Sequence, residues 1–371
     1  MKRKKGYCCL ILILLLSVLL WSCGQQKSSE ILTDSTPGWA LLPFEKVDSV
    51  NPILTAGTNS FICPVLNREV KWEEKDVFNP AAVVRNDTVF LLFRAEDSIG
   101  KFAGTSRIGI AWSTDGLHFT KHPAPVLYPD NDSSKIYEWE GGCEDPRIVE
   151  DENGTYYMTY TAYDGDKARL LIASSKDLYH WTKHGHVFKN DTAEVNKWSK
   201  SGSIVCKYEN GKAIAVKIGG KYCMYWGDTD IFMAVSDDLI NWVQVIIGSD
   251  GNKAVFGPRN KKFDSRLVEP GPPAMLTEKG IVLIYNSMNL QSKGDTSLAE
   301  GTYAASQILF DKNDPTKVID RMNTYFMKPD KPYEITGQVN HVCFVEGLVN
   351  SKGKWFLYYG TADSKIAVAV K

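Results

Sequence analysis

Paired cysteines are missing from this chain. Of its eight cysteines, Cys8, Cys9 and Cys23 fall in the N-terminal stretch. The other five, Cys63, Cys143, Cys206, Cys223 and Cys343, are scattered with no close pair. An odd, dispersed set argues against a disulfide framework or a zinc-type cluster and reads as small buried apolar side chains. Charge of one sign is not in excess either. Lys and Arg number 43 against 44 Asp and Glu, a formal net charge of −1, so nothing draws the chain to nucleic acid or to an anionic membrane surface. No glycine-rich phosphate loop and no long heptad is present, and helix signals are weak. No cofactor and no metal site is expected.

Long hydrophobic runs are also scarce; the one that stands out lies near the N-terminus. Lys2, Arg3, Lys4 and Lys5 precede a largely apolar stretch from Tyr7 to Leu20, which is short for a membrane span. This is the pattern of a secretory signal. Leu20-Trp21-Ser22-Cys23 resembles a bacterial lipobox, in which Cys23 is lipidated. The expected division is a lipoprotein-type signal peptide over 1–22, a polar tether over 23–38 and a folded domain over 39–371. An uncleaved membrane anchor is the alternative. The expected location is the bacterial cell envelope, facing the periplasm with surface display as the alternative, and touching the membrane through the lipid alone.

What the chain does have is a repeat. FLLFRAED (90–97), YMTYTAYD (157–164), CMYWGDTD (223–230), VLIYNSMN (282–289) and FLYYGTAD (356–363) are aromatic-rich strands running into polar residues. Each follows a turn-rich stretch and precedes a second strand-like run, and their starts lie 59 to 74 residues apart. Several strands per unit at this period predict an all-β fold, a five-bladed β-propeller. Residues 39–75 are expected to pack on it or to close its last blade. Ser-x-Asp-x-x-x-Trp/Phe at 113–119, 175–181 and 236–242 is read as a capped turn with a structural role.

Polar residues ending equivalent strands should converge in such a fold. The densest cluster is Trp139-Glu140-Gly141-Gly142-Cys143-Glu144-Asp145-Pro146-Arg147, where Arg147 is placed to pair with Glu144 or Asp145. Glu269 stands before the stiff run Pro270-Gly271-Pro272-Pro273, which suits rigid presentation of a general base. Asn79, Arg94, Asp97, Tyr163, Asp164, Asp228, Asn286 and Asn289 hold strand-end positions. Each alone reads equally as a turn cap. Together, acids, amides and aromatic faces suit a sugar, and glycoside cleavage needs two carboxyl groups.

FNPAA (78–82), GCEDPR (142–147), PGPP (270–273), IYN (284–286) and YYGTADSKIAVA (358–369) together resemble glycoside hydrolase family 130 over about residues 50–371. The resemblance implies a five-bladed propeller acting on β-mannosides, by inverting phosphorolysis or inverting hydrolysis. It implies that Asp145 is the acid, working through a hydroxyl of the sugar. Where the phosphorylases carry basic residues for phosphate, this chain has Asn286, Tyr225-Trp226-Gly227-Asp228 and Glu269. Acids there repel phosphate and favour water. The expected function is therefore an exo-acting hydrolase releasing mannose from β-1,2-linked mannosides, with Glu269 or Asp228 as base. Asn79, Arg94, Asp97, Arg147, Asp164, Asn286 and Asp363 are expected to bind the sugar, with Trp139 and Tyr163 stacking on it. A phosphorylase and a non-catalytic glycan-binding lipoprotein are the alternatives.

Overall fold

Strands account for almost all regular structure, because β-branched and aromatic runs alternate with Gly, Asn and Asp turns. In the computed structural model, residues 36–102, 104–191, 194–246 and 254–371 are described. The expected signal peptide, Cys23 and most of the tether lie outside them. Helix is confined, among the described residues, to Lys135–Glu138 and Pro332–Ile335.

Trp39–Lys371 forms one unit, made of five antiparallel meanders. The first runs through Asp76–Arg85, Thr88–Glu96, Ser106–Ser113 and Thr120–Lys121. The second runs through Gly142–Glu150, Tyr156–Tyr163, Ala168–Ser175 and Thr182–His186. In the third, a short leading strand Ser203–Ile204 pairs with Lys221–Trp226, which continues to Ile231–Ser236 and Trp242–Gln244. In the fourth, Leu267–Pro270 and Met275–Thr277 both pair with Gly280–Met288, followed by Tyr303–Phe310 and Val318–Arg321. The fifth has only three consecutive strands, Cys343–Ser351, Lys354–Thr361 and Lys365–Val370. Its fourth comes from the other end of the chain: Glu45 pairs with Val370 and Lys46 with Ala369. Each repeat segment found in the sequence is the second strand of its meander. Hydrophobic clusters join one meander to another, as where Leu91 and Phe93 of the first lie with Tyr358 and Val368 of the fifth.

A buried ion pair recurs as a fastener. Glu138, ahead of the second meander, accepts from the Tyr160 hydroxyl at 2.8 Å and from Lys183 Nζ at 2.6 Å. Glu334, ahead of the fifth, accepts from Tyr359 at 2.9 Å and Lys46 Nζ at 2.7 Å. Asp264, ahead of the fourth, is bound by the Tyr285 hydroxyl at 2.9 Å and Arg321 at 2.6 Å. In each, a carboxylate ahead of the meander, on a short helix at Glu138 and Glu334 and in a turn at Asp264, is tied to a tyrosine of the second strand and a cation of the fourth. Fourth strands are short, and this pairing fixes their edge.

The Ser-x-Asp motif is a turn, as expected. Ser113, Ser175 and Ser236 hydroxyls accept from Gly116, Leu178 and Leu239 N–H, and Asp115, Asp177 and Asp238 cap the next two amides. The five described cysteines are free and buried.

Candidate active site

Three of the leading strands break register at the same place. The irregularity falls between Phe78 and Pro80, between Glu144 and Arg147, and between Val345 and Gly347. Each bulge turns a polar residue out of the ladder: Asn79, Asp145 and Glu346. Bulges re-aim side chains in this way and are enriched beside active sites. Asn79 and Asp145 sit at φ 46° and 48°, a left-handed region that Asn and Asp tolerate better than most residues. Proline follows both and cannot donate to the ladder, which a bulge accommodates.

These bulges meet. Asn79 Nδ2 donates to Asp145 Oδ1 at 3.0 Å. The Asn79 amide fits there because residue 360 is glycine; a Cβ at that position would lie 2.1 Å from Asn79 Oδ1. Arg94 lies over the Phe78 ring and spans three acids, with Glu96 at 2.7 Å, Glu144 at 2.9 Å and Asp145 at 3.4 Å. On the far side of Asp145 stands Lys200, whose Nζ is 3.7 Å from Asp145 Oδ2 and 3.2 Å from Glu269 Oε1. The Ser201 hydroxyl also donates to Glu269 Oε1. Through Lys200 those two carboxylate oxygens lie at most about 7 Å apart, an upper limit that reaches only the short edge of the roughly 6.5–9.5 Å of inverting glycosidases and also admits the shorter spacing of retaining ones.

Burial and charge set the proton affinities. Burial alone pushes the Asp145 carboxyl up, but Arg94, Lys200 and the Asn79 amide outweigh it and hold it at about 2. Glu144 is less hidden than Asp145, but burial still raises it, and with ionised Asp145 beside it the pull of Arg94 and Lys200 leaves it at about 7. Within this coupled pair Glu144 is the carboxyl pushed up and Asp145 the one held down. Burial also raises Glu269 against the pull of Lys200, with Asp228 adding to the rise. Lys200 itself stays firmly protonated: burial disfavours its charge, but Glu269, Asp145 and Asp228 more than compensate. Asp363, at φ 49°, is lifted by burial to about 7 despite Arg94.

The structure thus gathers Asn79, Arg94, Asp145, Asp363, Glu269 and, through its charge, Asp228. Other expected sugar ligands are committed elsewhere. Arg147 does not form a bidentate pair with Glu144 or Asp145. It is buried, and donates to Pro270 O at 2.7 Å, Gly271 O at 2.8 Å and the Asp145 carbonyl at 3.1 Å. Buried carbonyls in the Pro-Gly run need a donor, and Arg147 meets that need while lashing the Asp145 strand to the Glu269 strand. Asp97 is fully buried on Arg107 at 2.6 Å and caps Ile99 and Thr105. Asp164 caps Asp166 and Lys167 and pairs with Arg169. Asn286 bonds both the N–H and the carbonyl of Val345, joining the fourth meander to the fifth. Asn289 ties down the loop that follows it. Asp97, Asp164 and Asn289 lie just past strand ends and Arg147 and Asn286 within strands, and all are engaged by neighbouring side chains or backbone.

Trp139 closes the short helix Lys135–Glu138 and is half-buried. Tyr163 lies against Gly141 and, at 6.1 Å between centroids, the Phe102 ring. Asp228 is half-buried and accepts from Trp198 Nε1 at 2.8 Å.

Sequence reasoning passed over Lys200, Ser201 and Glu346. A signal existed for the first-strand positions. Asn79-Pro80, Asp145-Pro146 and Glu269-Pro270 share a polar-proline pair, and Glu346-Gly347 is a variant of it. Lys200 carries no such mark.

Comparison with known proteins follows the same lines. Residues 47–371 match the family model of glycoside hydrolase family 130, described as beta-1,4-mannooligosaccharide phosphorylase. A 1,2-beta-oligomannan phosphorylase of Thermoanaerobacter sp. (strain X514) is 31% identical over 318 residues, spanning 83% of this chain and 94% of that protein. A glycosyl hydrolase from Bacteroides ovatus is 47% identical with a TM-score of 0.87, covering 90% of this chain and 95% of its own. A second structure is 46% identical, also with a TM-score of 0.87 and coverage of 90% and 95%. It accompanies the statement that the GH130 family of mannoside phosphorylases contains glycoside hydrolases that target beta-1,2 mannosidic linkages in Candida mannan. The relatives include mannoside phosphorylases and enzymes directed at β-1,2 mannosides, and the chain belongs to glycoside hydrolase family 130.

Proposed function

We propose that this protein is an inverting, exo-acting hydrolase that releases mannose from β-1,2-linked mannosides. The five meanders are read as five blades of a propeller, closed by Glu45–Lys46, with the site at the ends of the leading strands. One observation carries the choice of water over phosphate. Lys200, the cation between Asp145 and Glu269, is already shared by those two carboxylates with Asp228 nearby. Arg94 and Arg147, the other cations near them, are already engaged by Glu96 and Glu144 and by the Pro270 and Gly271 carbonyls, so this wall favours water over a phosphate dianion.

In this reading Asp145 protonates the leaving oxygen through a sugar hydroxyl, while Glu269, with Asp228 beside it, takes a proton from the attacking water. Asp145 is ionised in the unliganded site, so its proton is drawn from Glu144, the neighbour that holds one near neutrality. Arg94, Asn79 and Asp363 hold the sugar from which the bond is cut. Asp145→Asn should recover turnover on a nitrophenyl β-mannoside, whose leaving group needs no proton, whereas Glu269→Gln should not.

A second reading, phosphorolysis, is favoured by Lys200 itself and by the phosphorylases at about the 31% level of identity. Incubation with β-1,2- and β-1,4-mannobiose, with and without phosphate, decides between them. Free α-mannose formed without phosphate supports hydrolysis; α-mannose 1-phosphate formed only with phosphate overturns it. Attachment at the cell envelope through Cys23 is part of the proposal, and loss of acyl labelling in Cys23→Ala is the check.

A further inference from the structure

Trp198 is the one aromatic among the described large apolar side chains left exposed, at 49%; the others are Ile and Val. An indole of this size is normally covered when the fold offers any surface to cover it. This ring is also held in place. Its N–H donates to Asp228 Oδ2 at 2.8 Å, and Asp228 acts electrostatically on both Lys200 and Glu269. Trp198 precedes Lys200 by two residues, and burial alternates along the stretch: Trp198 exposed, Ser199 buried, Lys200 half-buried. Two residues of extended chain reach about 7 Å, so the ring stands at the rim of the Asp145–Lys200–Glu269 cluster.

We infer that Trp198 is the stacking platform of an additional sugar-binding subsite, beyond the two sugars that share the cleaved bond, and that it sets the preference for longer mannosides. The ligand class follows from the chemistry. A fixed aromatic face takes the C–H face of a pyranose, and the carboxylate at its edge, with one oxygen already bonded to the indole, keeps its other oxygen for a hydroxyl. The inference rests on the mannoside reading above and adds to it a residue that determines affinity.

The test compares wild type, Trp198→Ala and Trp198→Phe on β-1,2-mannobiose and β-1,2-mannotetraose. Trp198→Ala should raise KM for the tetraose by about tenfold, with a smaller rise for the biose and a smaller change in kcat. Trp198→Phe keeps a ring but loses the N–H, and should retain most of the tetraose affinity. Equal losses of kcat in both variants with KM unmoved would overturn the inference, because Trp198 would then serve only to hold Asp228. Unchanged kinetics in both would overturn it as well. Calorimetric titration of tetraose into Glu269→Gln, with and without Trp198→Ala, gives a readout apart from turnover. Weaker binding in the double variant supports the platform even if wild type releases no mannose, in which case the proposed hydrolase fails and the subsite stands. Equal binding in the two proteins sinks it.

Discussion

Glu138 and Glu346 are both fully buried, but their surroundings are opposite. Each oxygen of Glu138 has a short hydrogen bond, one from Tyr160 and one from Lys183. Neither oxygen of Glu346 has a hydrogen bond, and its nearest cation, Arg147, stands at 3.5 Å. The difference extends to the two regions these residues represent. Glu138, Glu334 and Asp264 fasten meanders and are fully engaged. Asp145, Glu269 and Glu346, on the leading strands, are equally hidden but have to share their cations: Asp145 has Arg94 at 3.4 Å and Lys200 at 3.7 Å, Glu269 has the same Lys200 and the Ser201 hydroxyl, and Glu346 has Arg147 at 3.5 Å. Burying a carboxylate is costly unless donors replace water. Where the replacement is complete the group is structural. Where it is incomplete, the field is left for a ligand, and proton affinities move toward neutrality, as at Glu144 and Asp363. Such displaced affinities mark functional sites.

Substitutions should separate the two regions. The largest effect is expected for Glu269→Gln, with turnover down by about 10²–10⁴-fold, the usual worth of a general base, and no loss of stability in denaturant titration. Glu138→Ala should do the reverse. Tyr160 then loses its acceptor and Lys183 its 2.6 Å partner, although Lys183 keeps Asp132 at 3.1 Å; the cost is about 1–3 kcal/mol, read in the same titration, while activity per folded molecule holds. Lys200→Met removes the cation that favours ionised Glu269. The acid limb of kcat/KM lies above the ordinary carboxylate range and should move to still higher pH, because the base must be ionised to work. The smallest effect is on thermal stability. Glu144 and Asp363 bind protons more tightly folded than unfolded, so their contribution is present at low pH and lost as pH rises through about 7. Melting scans at pH 5.5 and 7.5 should show a higher Tm at 5.5, by about 2–4 °C, and Asp363→Asn should shrink the gap.

The sequence was most legible where a pattern repeats. Aromatic second strands recur five times and locate every meander, since each must fill the same space between neighbours. GCEDPR singled out Asp145 because Gly, Pro and acids together do not make an ordinary strand. Asp97, Asp164 and Asn286 show what the sequence leaves open, because a polar residue late in a strand looks alike whether it faces a sugar or a neighbour's side chain or backbone. Their true partners, Arg107, Arg169 and Val345, depend on which way the strand end turns. Lys200 was hidden for a different reason. It lies ahead of a leading strand only two residues long, with no period or motif to announce it, and only folding brings it between two carboxylates from other meanders.

The borrowed fourth strand of the last meander also bears on how the protein is made. Lys46 and its partner Glu334 are 288 residues apart, so that contact forms only after the whole intervening stretch has been made. Until then the edge of Lys365–Val370 has no partner and invites pairing with another chain. Loop closure on this scale is slow, and the nascent protein should depend on chaperones most in the interval between release and the docking of Glu45–Lys46.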